Sequence, residues 1–471
     1  MPNFESMARK YRFRVLGKAC RDSKISSLLL AHHEDDQAET VLMRIIKGHR
    51  TTGLLGIKPV SEIPECYGMY GVHESGGLHQ CAEEAQCHPR DSTTTIATWE
   101  NVSKNSPQLP AETGGIRVYR PLLNFSKARL IATCQADKTE WFEDATNKDP
   151  TLTMRNTIRH MYSSHSMPAA LTKMALLALT AKLQEKSNRQ LDIIKSWLSK
   201  RSNCHLNTRT GTLQIRFPDL NKLQESLSMT LPKDSGLVAA RLLCRVIRLV
   251  TPKEHTELSS LHVAVERIFP ELLSQQESPV SPTAFTVCGV LFQPLTATSL
   301  EKDLSASTQK CTWLISCQLY PSLSSMRPSV FFSPTGGIWS PWTLYDGRYW
   351  IRIQNHGTET IHVRPFHKDD MSDFRHDIDE KYEVKLRRVL KSAPGSVRWT
   401  LPAIALRTGD GNEKVIALPS LGLTLPKSEE LAKWEIRYKK INTADLPMVE
   451  IPVIKHSQRK GLGVIGPSVK S

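Results

Sequence analysis

The sequence has no run of eighteen or more apolar residues, so nothing in it can span a bilayer as a helix. Its start, Met1 to Arg12, is charged and lacks the apolar stretch of a secretory leader. Ten cysteines are scattered without compact paired spacing, which argues against a disulfide framework and for free thiols in a reducing compartment. Acidic residues are few: 47 Asp and Glu stand against 62 Lys and Arg, a net charge of +15. That balance points to a polyanionic partner, nucleic acid first; a basic mitochondrial matrix enzyme or plain solubility are the bland readings. What is present suits a soluble protein. At 471 residues, 39% hydrophobic and 23% charged, the chain is long enough for two or three domains with real cores.

The chain is organised around His32-His33-Glu34-Asp35-Asp36-Gln37-Ala38-Glu39-Thr40. An apolar run, Leu28 to Ala31, precedes it, and Val41, Leu42, Ile45 and Ile46 follow at helical spacing. This is a strand running into a helix, and α/β sheets bind ligands beyond the carboxyl ends of their strands. Acids packed this densely repel, so a metal ion, an ammonium group or an arginine is expected among them. A solvated helix N-terminus, where the macrodipole favours acids, explains the cluster equally well.

Upstream, Phe4, Met7, Ala8, Tyr11, Val15 and Ala19 predict an amphipathic helix over residues 3–20. Helix, strand, helix is the middle of an alternating α/β domain. Downstream, Gly53 and Gly56 punctuate a turn and would let a ligand approach the backbone closely. Residues 61–115 lose periodicity and read as a long insertion. Within it, His73, His79, Cys81, Cys87 and His88 have no metal-ligand spacing. Ser75-Gly76-Gly77 lacks the flanking strand and helix of a phosphate loop. Regular structure resumes at residues 116–123, with Ser126 as the N-cap of a helix. Arg155 and Arg159, four apart, share a helical face beside the polar loop 141–150, where they could hold a phosphate or pair internally.

AHHEDDQAET (31–40), GLLGI (53–57), RPLL (120–123), WFEDATNKD (141–149) and RNTIRH (155–160), in that order, resemble tRNA(Ile)-lysidine synthases, members of the PP-loop ATPases. The resemblance covers roughly residues 5–60 and 116–165. It implies an α/β fold with a partial Rossmann-like PP-loop ATPase domain, then a helical domain and an α+β C-terminal domain. It also implies a reaction: ATP, with Mg²⁺, adenylates the C2 oxygen of the wobble cytidine in a CAU anticodon of tRNA(Ile). The amine of free L-lysine then attacks C2, releasing AMP and leaving lysidine. By position in the motif, His32 and Asp36 would carry the chemistry, Asp36 also holding Mg²⁺, with Asp35 and Glu39 in support. His33, Gly53 and Gly56 would contact ATP; Arg155, Asn156 and Arg159 would contact phosphate or tRNA.

Family members carry an SGGxDS loop upstream of the AHH motif, and no such sequence occurs in this chain. Its place would lie before Met1, so the domain is expected to be partial and its activity impaired. A catalytically inactive tRNA-binding paralogue is the alternative. Another PP-loop enzyme, such as a tRNA thiolase, would want paired cysteines near the site, whereas Cys66, Cys81 and Cys87 fall in the insertion.

The domains are expected at 1–165 (PP-loop), 166–270 (helical, tRNA-binding), 271–340 (linker and small strands) and 341–457 (C-terminal, tRNA-binding), with a basic tail at 458–471. In the helical region, Arg241, Arg245 and Arg248 form a basic face suited to phosphates. Asp346-Gly347 reads as a hairpin turn. Residues 398–404 and 414–419 look like a strand pair, preceded by a helix with Lys385, Arg387 and Arg388. No membrane partner is expected. The long insertion suggests a eukaryotic source and a mitochondrial matrix location; otherwise the protein would be cytoplasmic.

Overall fold

A computed structural model describes residues 4–77, 108–198, 204–218, 232–272, 282–295, 311–321 and 326–441, apart from 377, 379, 394, 427 and 429. His79, Cys81, Cys87, His88 and the tail from 458 lie outside these residues.

The first unit runs α1 (Phe4–Asp22), β1 (Ser27–Leu29), α2 (Glu34–Ile46), β2 (Val60–Glu62), β3 (Arg117–Tyr119), α3 (Lys127–Ala136), α4 (Met154–Ser164) and α5 (Lys173–Leu198). Its sheet has the order β1-β3-β2, with β1 parallel and β2 antiparallel to β3. Ser126 caps α3 as its position predicts, accepting from the Arg129 N–H. Val41 and Leu42 of α2 pack with Ile158 of α4 and Leu176 of α5, so these three helices form one core.

Two expectations change here. The buried side of α1 is Phe13, Gly17 and Cys20, whereas Met7, Tyr11 and Val15 are exposed. Two overlapping stripes share this helix, and the longer one is not the packed one. Residues 61–77 and 108–116 are also not a formless insertion. Ile63, Cys66 and Val72 are buried with Phe13, Ile116 and Val118, held by successive turns and therefore without period. Ser75-Gly76-Gly77 belongs to this structure: the Gly76 N–H donates to Glu112 Oε1, and Gly76 bridges Gly114.

The middle region is not wholly helical. It contains β4 (Cys204–Asn207), β5 (Thr212–Arg216), α6 (Pro232–Val250) and α7 (His262–Ile268), followed by β6 (Phe285–Val287), β7 (Val290–Leu295) and β8 (Thr312–Cys317). The strands form one sheet, β4-β5-β8-β7-β6, that joins chain from both sides of residue 270. Leu243, Val246 and Ile247 of α6 share a core with Leu213, Ile215, Phe292 and Ile315 of this sheet. The boundary at 270–271 therefore cuts a packed unit.

The remainder carries β9 (Val330–Phe332), β10 (Thr343–Tyr345), β11 (Tyr349–Asn355), β12 (Thr360–Pro365), α8 (Asp370–His376), α9 (Glu380–Lys391), β13 (Pro402–Arg407), β14 (Glu413–Leu418), β15 (Leu423–Thr424) and β16 (Ala432–Tyr438). They make two sheets, β10-β11-β16 and β15-β14-β13-β12-β9. The Asp346-Gly347 hairpin turn forms as predicted, with φ of 53° and 64°. Residues 398–400 wind into a 3₁₀ turn, so the expected strand starts only at Pro402.

The residues around the expected insertion tie the first unit to the last. Glu112 N–H donates to Tyr438 O (2.8 Å), Tyr438 N–H donates to Pro110 O (2.9 Å), and Arg437 Nη1 donates to Tyr70 Oη (2.9 Å). At the hairpin turn, a Cβ on Gly347 would lie 2.1 Å from Pro252 O and 2.6 Å from Tyr67 Oη, so only glycine fits.

Candidate active site

The strand end at Leu30 and Ala31 hands the chain to α2 through a reciprocal cap. His33 Nδ1 accepts from the Asp36 N–H (3.4 Å), and Asp36 Oδ2 accepts from the His33 N–H (3.1 Å). His33 therefore acts first as a helix cap. Glu34 N–H donates to Phe125 O (3.0 Å), which fixes this corner against the chain after β3. With the helix start locked, Asp36 and Glu39 turn towards α4, and Asp35 turns towards α3 and α5.

Arg155 and Arg159 of α4 meet these acids, as their four-residue spacing allows. Arg159 Nε donates to Glu39 Oε1 at 2.8 Å, while its Nη2 lies 3.5 Å from Asp36 Oδ1. Arg155 Nε lies 3.5 Å from Glu39 Oε2, and its Nη1 3.8 Å from Asp36 Oδ1. On the other side, Asp35 Oδ2 accepts from the Lys127 N–H (2.8 Å) and Oδ1 from the Lys173 ammonium. The positive groups expected among the acids are thus two guanidiniums and one ammonium.

The cluster lies between two cavities. One, about 360 Å³, is lined by Arg9, Arg12, Phe13, Leu16, Leu30, His32, Asp36 and Arg155. The other, about 800 Å³, is lined by Asp35, Glu39, Glu143, Arg159, Tyr162 and Lys173, with His33, Ser126 and Lys127 at the α2–α3 side. The first is rich in cations beside an apolar wall; the second gathers carboxylates beside an aromatic ring.

Burial pushes the His32 imidazole below its ordinary value; Asp36 opposes this, while Arg120, Arg155 and Arg9 reinforce it. His32 Nδ1 is buried and accepts or donates no hydrogen bond. Burial pushes Glu39 up, against the pull of Arg159 and Arg155, and its Oε2 accepts no hydrogen bond. Burial would also raise Asp35, but the Lys173 ammonium and the Lys127 N–H outweigh it and hold the carboxyl below its usual range.

Several expected contacts are structural instead. Asn156 is buried, and its Nδ2 donates to Thr146 O and Asp149 O, both at 2.9 Å, so it shapes the polar loop. Arg44 Nη1 donates to Gly53 O and Gly56 O, each at 3.0 Å. A Cβ on Gly56 would meet the Gln37 amide at 2.7 Å. These glycines seat a turn on α2 and are absent from the lining of both cavities. Arg241 is buried inside the protein, donating to Gln190 Oε1 (2.8 Å) and Ser187 Oγ (3.0 Å). It ties α6 to α5 and cannot reach a phosphate outside. Arg248 is exposed and Arg245 half-buried, and neither lines these cavities.

Among the described residues, no group of three or more His, Cys, Asp or Glu is placed to hold a metal ion. Asp36 is the one carboxylate on the smaller cavity, and its Oδ1 already faces two guanidiniums. These residues do not by themselves build a resident Mg²⁺ site.

Arg9, Arg12, Tyr162 and Lys173 were not picked out in the sequence. Arg9, Arg12 and Phe13 could have been found by treating α1 as two-faced; Lys173 is 138 positions from Asp35 and carries no motif.

No helix among the described residues is long and apolar enough to cross a membrane. The PP-loop domain pattern matches residues 1–73 and 101–165. A probable tRNA(Ile)-lysidine synthase of Schizosaccharomyces pombe is 26% identical over 427 residues, 90% of this chain and 74% of that protein. The tRNA(Ile)-lysidine synthase of Wolbachia pipientis wMel is 24% identical over 231 residues, 49% of this chain and 40% of that protein. That of Streptococcus agalactiae is 49% identical, but over 57 residues only, 12% of this chain and 13% of that protein. The chain thus spans about three-quarters of the yeast relative and less than half of these bacterial ones. Residues 1–73 and 101–165 thus match a PP-loop domain, and the chain as a whole is similar to tRNA(Ile)-lysidine synthases.

Proposed function

We propose that this chain modifies tRNA(Ile) in an ATP-dependent reaction, joining L-lysine to C2 of the wobble cytidine of a CAU anticodon. The observation that carries this reading is the pair of cavities joined by one ion-pair cluster, Asp36–Arg155 and Glu39–Arg159. Arg9, Arg12 and Arg155 offer fixed positive charge where the phosphates of ATP and the leaving AMP would need it. The apolar wall of Phe13, Leu16 and Leu30 suits a base beside them. Asp35 and Glu39 offer carboxylates to the lysine amine on the other side.

In this scheme the C2 oxygen of cytidine attacks the α-phosphorus of ATP, and pyrophosphate leaves. The neutral amine then attacks C2, and AMP leaves with the former C2 oxygen. An amine bound as an ammonium must first lose a proton. Glu39, lifted by burial and lining the larger cavity, is the better-placed acceptor than Asp35, whose oxygens already accept from Lys173 and the Lys127 N–H. Asp36 orients both arginines, and His32 lines the smaller cavity. This shifts the main role from Asp36 to Glu39.

The test is product analysis of ATP turnover. Full-length chain with a CAU tRNA should form AMP and pyrophosphate only when tRNA is present, with lysine required for repeated turnover. Release of ADP, or an equal rate without tRNA, would rule out the scheme. Retained tRNA binding with no ATP consumption would identify a non-catalytic RNA-binding protein instead.

A further inference from the structure

The larger cavity already holds a lysine side chain, its own. Lys173 opens α5, whose first turn is capped by Thr172 Oγ1 accepting from the Ala175 N–H (3.3 Å). A cation at a helix N-terminus sits at the positive end of the macrodipole, so its position there is unfavourable without a compensating acid. Asp35 Oδ1 provides that compensation. The Lys173 ammonium also stands 5.4 Å from the centre of the Tyr162 ring, whose Oη is fixed by donating to Leu171 O (3.0 Å). A carboxylate and an aromatic face together form a recognition site for a primary ammonium. The Lys173 side chain remains 45% exposed while Asp35 is 17% exposed, so the occupant reaches solvent whereas the carboxylate that holds it is mostly covered. Beside it, Glu39 is buried with an oxygen that accepts no hydrogen bond.

We propose that Lys173 is a built-in competitor for the amine site: its ammonium fills the Asp35–Tyr162 subsite, and an incoming primary ammonium must displace it. The inference rests on the reading that this cavity receives lysine. Its consequence is selectivity, because a ligand without a side-chain ammonium cannot replace the one that leaves. A ligand that binds only the open form is weakened by the fraction of time that form exists. If Lys173 occupies the subsite about nine-tenths of the time, removing it strengthens lysine binding about tenfold.

The experiment is calorimetric titration of full-length chain with L-lysine and with norleucine, in the presence of a non-hydrolysable ATP analogue and CAU tRNA. Wild type, Lys173→Gln and Lys173→Arg are compared, with thermal melting of each as the check on folding. Lys173→Gln should bind lysine about tenfold more tightly, Lys173→Arg should match the wild type, and norleucine should bind weakly throughout. A second readout needs no variant: acylation of Lys173, followed by mass spectrometry, should speed up on saturation with lysine and not with norleucine. Equal or weaker lysine binding by Lys173→Gln, or an unchanged acylation rate, overturns the proposal and leaves the amine reading standing. Failure of every form to bind lysine overturns both.

Discussion

Arg159→Ala is expected to lower kcat/KM for tRNA modification by about two to three orders of magnitude, the scale of losing one preorganised charged donor. Its guanidinium spans Glu39 and Asp36 with different nitrogens, so it holds the two carboxylates in register across the two cavities. Arg159→Lys should rescue little of this, because an ammonium is a point charge and cannot replace a planar fork at a two-carboxylate site. The loss should also depend on pH in a defined direction. Burial already lifts Glu39 above its ordinary 4.5, and Arg159 opposes that lift. Without Arg159 the carboxyl rises further and stays protonated to higher pH. The acidic limb of the rate profile therefore moves upward in pH, and raising the pH recovers part of the activity. Stability follows the same sign. A raised folded value means that the native state holds this proton more tightly than the unfolded chain does. The contribution is fully present below pH 4.5 and is lost as pH rises through the folded value. Melting of Arg159→Ala should accordingly trail the wild type more at pH 7 than at pH 5. An unchanged pH profile would mean that Glu39 takes no part in proton transfer.

Arg348→Ala is expected to be the most destabilising single change among the residues described here, by about 3–5 kcal/mol. The side chain is fully buried, and it follows directly on the Asp346-Gly347 turn. Its Nε donates to Asp346 Oδ2 (2.6 Å), and its Nη2 donates to Thr400 O (2.6 Å) and Tyr320 Oη (3.3 Å). One guanidinium thus ties the β10–β11 hairpin to the chain after β8 and to the turn before β13. Truncation strands the Asp346 carboxylate inside the protein, where burial already pushes it upward. Replacing both partners, as in Arg348→Met with Asp346→Asn, should cost clearly less than the sum of the single changes. Denaturant unfolding of the three variants provides the comparison. An additive double variant would show that the pair is not coupled.

Much of the site could be read from the sequence because its acids and arginines are local. His32 to Thr40 is one strand-to-helix corner, and Arg155 and Arg159 are four residues apart on one helix. Side-chain direction in both follows from helical geometry alone. The differences have physical causes. Gly53 and Gly56 are needed by a tight turn, and a glycine required for packing looks the same as one required for a ligand. Arg241 lies on a stripe of arginines, but packing of α6 against both α5 and the central sheet leaves that position inside. Residues 61–77 were unreadable because a core built from turns has no period to detect. Lys173 was missed because nothing local links it to Asp35; only the larger cavity, lined by α2, α3, α4 and α5, brings them together.

The measurement that bears most directly on the whole account is the mass of the wobble nucleoside. Full-length chain would be incubated with ATP, Mg²⁺, isotope-labelled L-lysine and a CAU tRNA, and the tRNA then digested to nucleosides. The account predicts a labelled nucleoside heavier than cytidine by lysine less one water, with one AMP formed for each. Unmodified cytidine in tRNA that is demonstrably bound, with ATP intact or cleaved only to ADP, would contradict it.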